Sequence, residues 1–276
     1  MSRFKRSGIE IKTPEELLGM RRAGLVVADA LATTATAIKP GVTTAELDAV
    51  AAGVIRGAGA TPSFLGYLGY PATTCISVNE VIVHGIPGSR VLADGDVVSI
   101  DCGAIVDGWH GDSAVTVQVG AGSAEATALS EATRLAMWHG IGAARLGGRV
   151  GDISSAIEDY VDSLDAPYGI VGDYTGHGIG SAMHQPPDVP NLGRAGKGPK
   201  IVLGMALAIE PMLTLGEPDN SVLDDDWTVV TDDGSIACHW EHTMTVTEQG
   251  IWVLTSPDGG EAMLRELGVP FGPLAD

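Results

Sequence analysis

The sequence predicts an α/β fold made of two similar halves, and three observations carry that reading. The order helix, helix, strands occurs twice along the 276 residues. The segments KPGVTTAELDAV and GGRVGDISSAIED take equivalent places in the two passes. No Pro/Ser-rich linker separates the passes, so residues 13–276 are expected to form one pseudo-symmetric domain behind a tail of residues 1–12.

Each element has its own local signal. Thr13-Pro14-Glu15-Glu16 is a capping box with proline at the first helical position, and its helix should end before Pro40-Gly41. Thr43-Thr44-Ala45-Glu46 repeats the signal and opens a helix that fades at Gly57. Strand character marks 75–83 and 97–106. Asp107-Gly108 is a two-residue hairpin signal, with a return strand over 109–119. A helical stretch covers 124–146 and breaks at Gly147-Gly148, and Asp152 is expected to cap a helix over 153–164. Strand signals resume at 169–175, 205–214, 227–231, 236–247 and 251–255, with turns at Asp233-Gly234 and Gln249-Gly250.

Composition narrows the function. Hydrophobic residues make up 45% of the chain, enough for a sizeable core. The net charge of −19 argues against a nucleic-acid binder, which needs a basic face. Three cysteines without CxxC spacing fit a reducing compartment. No signal-peptide run is present, and no segment reaches the roughly 18–20 apolar residues that span a bilayer. A cytoplasmic protein with no membrane partner is the expectation. The stretch from Ser2 to Lys12 is locally basic, with Arg3, Lys5, Arg6 and Lys12. It reads as a solvated tail, with a transient ribosome contact as the alternative.

Five side chains point to metal chemistry, most of them in glycine-flanked phrases. They are Asp101 in SIDCG, Asp112 in HGDS, His177 in GHGIG, Glu210 in AIEP and Glu241 in WEHT. Four carboxylates and one imidazole are a hard, oxygen-rich set suited to a pair of divalent ions such as Mn, Fe, Co or Zn. Two such ions lower the pKa of a shared water and so assist hydrolysis. If Val106 pairs with Trp109, Asp101 faces Ala114 and Asp112 lies diagonally on the same face, with α-carbons about 7–8 Å apart. A cation between the two turns repulsion into chelation. Alone, Glu210 or Glu241 reads equally as a buried salt-bridge member, but only 16 Lys and Arg are available as partners. His177 alone reads as a core histidine. His84 and His184 sit in loops able to hang over such a site, where an imidazole donates hydrogen bonds or moves protons. His239 shares a strand face with Glu241. GxSxG, P-loop and HExxH patterns are absent.

The phrases EVIVHGIP, SIDCGAIVDGWHGD, TGHGIGSAMHQPP, ALAIEPM and WTVVTDDGSIACHWEHT closely resemble those of the type I methionine aminopeptidases, members of the pita-bread metallopeptidases. The resemblance runs from about Thr13 to Leu254. It implies a pita-bread fold, with a curved antiparallel sheet covered by helices. It also implies removal of the initiator methionine from nascent polypeptides by a hydroxide held between two divalent ions (Co, Mn, Fe, Zn or Ni). Asp101 would hold one ion, His177 and Glu210 the other, and Asp112 and Glu241 both. Glu210 would also handle the water proton, and His84 and His184 would contact substrate and stabilise the tetrahedral intermediate. Phe64, Tyr67, Tyr70, Cys75, Met183 and Trp227 would form the methionine pocket. A structural monovalent cation near Asn79 and Val81 and a monomeric state are further expectations. The competing readings are an Xaa-Pro aminopeptidase on the same fold and a catalytically dead binding protein.

Overall fold

The computed structural model describes residues 8–275. Helix α1 (Pro14–Ala37) and helix α2 (Thr44–Gly57) begin at the expected capping boxes, with Thr13 and Thr43 as N-caps. They lead into strands β1 (Thr61–Pro62), β2 (Thr74–Val78), β3 (Val81–Val83), β4 (Val97–Val106) and β5 (Trp109–Gln118). The second pass starts with α3 (Ala124–Ala143) and α4 (Val150–Asp162). It continues through β6 (Gly169–Ile170), β7 (Gly176–Gly178), β8 (Gln185–Val189), β9 (Ala206–Ile209) and β10 (Met212–Thr214). Strands β11 (Asn220–Val222), β12 (Val229–Thr231), β13 (Ala237–His239), β14 (Glu241–Val246) and β15 (Ile251–Val253) follow, with a short helix α5 (Glu261–Glu266).

The large sheet is antiparallel, in the order β1-β4-β5-β14-β9-β7-β8, with β2 also paired to β4 and β15 to β14. It is the curled sheet of a pita-bread architecture. Two small sheets, β13-β10-β6 and β11-β12-β3, lie beside it. The β4–β5 hairpin has the anticipated register, with Val106 opposite Trp109, and Asp107 and Gly108 both take the positive φ such a turn requires.

Several expectations need correction. The 75–83 run divides at Asn79-Glu80, where Asn79 turns left-handed at φ 56°. The 205–214 run divides at Glu210-Pro211, because Pro211 has no N–H to continue a ladder. There the chain passes from the large sheet (β9) to a small one (β10), and at Trp240 it passes back from β13 to β14. Asp152 caps α4 from inside the helix rather than as the residue before it. It is the third helical residue, and its carboxylate accepts the Arg149 N–H at 2.8 Å and the Gly196 N–H at 2.6 Å. Finally, Lys12 is buried at 5% exposure rather than solvated, and Ile9 joins the main core. Arg3, Lys5 and Arg6 lie outside the described residues.

Each half has its own apolar core. One joins α1 and α2 to β2 and β4 through Val27, Leu31, Leu47, Ile55 and Ile100. The other joins α3 and α4 to β9 and β14 through Leu129, Met137, Ile153, Leu207 and Met244. Helix α1 crosses the hairpin closely. Gly24 lies against the Leu254 carbonyl, and Gly111 of β5 lies against the Gly24 backbone, so a methyl group at either position would collide with main chain. Arg21 holds the same crossing by donating to the Leu254 carbonyl (2.9 Å) and the Pro257 carbonyl (2.9 Å). Among the described residues, no helix is long and apolar enough to cross a membrane. Gly24→Ala is expected to cost about 1–3 kcal/mol of stability by overpacking. Urea unfolding should show it as a lower midpoint at unchanged slope; an unchanged midpoint would mean that α1 can shift away.

Candidate active site

The sheet register explains how distant residues meet. Cys75 pairs with Asp101, Asp101 with Ala114, and Ala114 with Glu241, so these four form one row across β2, β4, β5 and β14. Their side chains therefore point to the same face. The β14–β9 pairing of His242 with Ile209, extended by one step, brings Glu210 opposite Glu241 at the end of that row. A second row runs through Thr243, Ala208 and His177. Asp112, opposite Gly103, joins it through Thr243, whose Oγ1 donates to the Asp112 carbonyl at 2.8 Å. Alanines at 114 and 208, both fully buried, form a floor that leaves room between the acids.

His177 approaches Glu210 Oε1 at 3.4 Å and Asp112 Oδ2 at 4.0 Å through Nε2. Its Nδ1 lies 3.0 Å from the Gly178 carbonyl, which can only accept. The ring proton therefore sits on Nδ1, and the Nε2 lone pair faces the acids. Ligand atoms of Asp112, His177 and Glu241 fall within 4.8 Å of one another, as do those of Glu210, His239 and Glu241. Glu241 belongs to both groups. Asp101 belongs to neither, although it lines the same cleft. His239 is the one cluster member absent from the five: its Nε2 is 3.6 Å from Glu210 Oε2. The signal for it was alternation, since residues 239 and 241 share a face.

The electrostatics are those of a crowded, dry acid cluster. Burial pushes Asp112 up to about 7. It pushes Asp101, Glu210 and Glu241 well above the ordinary carboxylate range, and neighbouring carboxylates push in the same direction. Burial lowers His177 and His239 to about 3 and His84 to about 4, so these imidazoles stay neutral. Buried Asp101 Oδ1, Asp112 Oδ1, Glu241 Oε1 and His239 Nε2 have no hydrogen-bond partner among the described residues. No Lys or Arg is among the described residues lining the cleft. Orphaned buried acceptors with no cation from the protein are what a divalent-metal site requires. The residues present therefore fit such ions.

The cleft measures about 270 Å³. On one side all six residues expected at a methionine pocket come together: Phe64, Tyr70, Cys75 and Met183 are buried, with Tyr67 and Trp227 packed against them. The Tyr70 ring meets Phe64 and Trp227 edge-on, at 6.5 and 5.0 Å. The Tyr70 hydroxyl lies 3.0 Å from the Thr74 carbonyl and 3.1 Å from the Gly85 carbonyl, and its one proton is shared between them, which fixes the ring. Burial raises the Cys75 thiol, so it stays neutral. His84 holds φ 60°, a sparsely populated conformation for a non-glycine residue, and its ring lies edge-on to Tyr174 and Trp227. His184 packs 4.3 Å from the His177 ring, and its Nδ1 lies 2.9 Å from the Tyr67 hydroxyl. Leu68 and Tyr174 also line the cleft and were not anticipated. Leu68 sits at φ 49° just before Gly69, a turn signal that does not disclose which way the side chain points.

This arrangement of acids and histidines on a curled sheet is that of a metal-dependent hydrolase. The chain belongs to metallopeptidase family M24, whose family model matches residues 19–248. It is 54% identical over 245 residues to methionine aminopeptidase 1 of Mycobacterium tuberculosis, covering 87% of this chain and 92% of that one. The crystal structure of methionine aminopeptidase from Thermotoga maritima superposes with a TM-score of 0.87 at 40% identity, covering 90% of this chain and 99% of that one. Prolidase from Pyrococcus furiosus shares the fold at 22% identity and a TM-score of 0.71, with 89% of this chain covering 65% of that one.

The raised acids make the metal-free protein sensitive to pH. A carboxyl whose folded-state pKa exceeds its unfolded value binds more protons when folded, so stability falls as pH rises. For Asp112 alone, moving from about 3.8 to about 7, the loss between pH 5 and pH 7 comes to about 2 kcal/mol. The buried neutral imidazoles of His177, His239 and His84 act in the opposite sense, so the acid contribution is read by difference. From pH 5 to pH 7 the melting temperature of chelator-treated wild type should fall relative to that of Asp112→Asn, and a wild type that gains on the variant as pH rises would contradict the clustered geometry.

Proposed function

We propose that this metallopeptidase removes N-terminal methionine from peptides and nascent polypeptides. The observation that carries the reading is the row Cys75–Asp101–Ala114–Glu241, which joins an apolar, sulfur-lined pocket directly to the acid cluster. Asp101, Asp112, His177, Glu210 and Glu241 would hold two divalent ions of the Mn, Fe, Co, Zn or Ni type. Glu241, a member of both ligand groups, and Asp112, a member of the group that includes His177, would serve both ions. Bound ions supply Lewis acidity and an acidified water.

The chain's own groups do the rest. Phe64, Tyr70, Cys75 and Met183 enclose an unbranched thioether side chain, a favourable sulfur–aromatic environment. The free α-amine would lie at the metal-holding end of that pocket, which confines cleavage to the first residue. Glu210 stands at the junction of both sheets, beside His177 and His239, where it takes a proton from the attacking water and passes it to the leaving amine. His84 and His184 approach the cleft from two loops. They donate hydrogen bonds to the carbonyl oxygen as negative charge develops on it.

Two measurements test this. Purified protein with Mn²⁺ or Co²⁺ should release methionine from Met-Ala-Ser and leave Xaa-Pro-Ala peptides intact; preference for the proline peptides would overturn the assignment. Asp112→Asn and Glu210→Gln should each lower kcat/KM by at least about 100-fold, since even groups behind a metal ligand are worth about 10–100-fold. His139→Ala, whose ring stacks on Tyr160 away from the cleft, should change little.

A further inference from the structure

A buried ion pair lies outside the acid cluster, and nothing in the proposed chemistry uses it. Glu10 and Lys12 are 2% and 5% exposed, with Lys12 Nζ 3.8 Å from Glu10 Oε2. Glu10 also accepts the Ser181 N–H on Oε2 at 2.9 Å and the Ser181 hydroxyl on Oε1 at 2.7 Å. Ser181 belongs to the loop between β7 and β8 that ends in Met183 and His184.

The segment 9–12 is fitted into place on both sides. At Gly180 an added methyl group would collide with the Glu10 carboxylate and the Lys12 side chain. At Gly204, where φ is +78°, it would collide with the Lys12 carbonyl. The Lys12 N–H donates to the Gly204 carbonyl at 2.8 Å. This assigns a purpose to the last glycine of GHGIG: it lets the strap pass.

The loop is otherwise held by few groups. The His110 N–H donates to the Gly180 carbonyl at 2.9 Å, and the Gly180 N–H turns back to the Ala182 carbonyl at 3.0 Å. Beyond Ser181, Met183 enters the pocket and His184 meets Tyr67. Ser181 itself is exposed, and besides Glu10 its hydroxyl meets the Gln185 side-chain amide, which donates to it at 3.3 Å. Two bonds to a buried carboxylate fix that turn much more firmly, because bonds to a charged acceptor are short and strong.

We propose that Glu10, compensated by Lys12, is a positioning residue that anchors the 180–184 loop and so sets where His184 stands in the cleft. The inference rests on the aminopeptidase reading for its kinetic consequence, though not for its structural one.

The test uses the full-length, metal-loaded protein. Glu10→Ala should lower kcat for a methionyl tripeptide by about tenfold, within the range that small misplacements of catalytic groups produce. Bound metal per chain should be unchanged. Glu10→Gln keeps an acceptor for Ser181 and should lose less. In a His184→Ala background the Glu10→Ala change should cost no more than about twofold, because two residues acting through one group are not additive. Amide hydrogen exchange at residues 181–185 reads the anchor without any substrate and should quicken in Glu10→Ala. If that variant does not fold, Glu10→Gln and Ser181→Ala in both backgrounds decide the question. Unchanged exchange together with wild-type kcat would overturn the proposal, as would an undiminished loss in the His184→Ala background. Faster exchange in a wild-type-competent loop, with no methionine release by the wild type, would uphold the anchor and count against the aminopeptidase reading instead.

Discussion

Four carboxylates gathered in a dry space repel one another, and that repulsion is the constraint on which the rest of the structure depends. Burial alone disfavours their charges, and proximity adds to it. No lysine or arginine among the described cleft residues offsets the charge. The cost must be met by the fold's two cores, or removed by cations. The architecture does hold the acids rigidly. Three of them lie on long-range strand pairings between β4, β5 and β14, and Glu210 sits where the chain leaves the large sheet for a small one. A strand crossing between sheets at that corner is what turns Glu210 toward Glu241.

The same rows tie recognition to chemistry. Cys75 and Asp101 are cross-strand partners, so the pocket floor and the acid cluster cannot move independently. The pocket's remaining walls come from loops: the 64–70 turn, the His84 loop and the 180–184 loop. Rigid strands thus carry the charged groups, and loops fastened at defined points carry the groups that would touch substrate. The strained backbone at His84 and the hydroxyl of Tyr67 beside His184 are two such fastenings. Glu10 is a third, reaching in from the N-terminal segment.

Much of this was legible in the letters. Capping boxes located α1 and α2, and Asp107-Gly108 located the hairpin and hence the diagonal relation of Asp101 and Asp112. Those signals are local, so a single sequence carries them. Strand breaks at Asn79, Glu210 and Trp240 were read through, because an apolar run does not disclose where a chain changes sheets. Strands β8 and β11 went unseen because Gln185-Pro186-Pro187-Asp188 and Asn220-Ser221 lack strand propensity and pair only through tertiary context. The burial of Lys12 is hidden for the same reason: its partner Glu10 is two residues away, but the enclosure comes from Gly180 and Gly204, far along the chain.

The most direct test of the central claim is calorimetric titration of chelator-treated protein with Mn²⁺ or Co²⁺ in two buffers of different ionisation enthalpy. The account predicts saturable binding with protons released to the buffer, because raised carboxyls must give up protons to become ligands. Binding without proton release, or no binding at all, would contradict it.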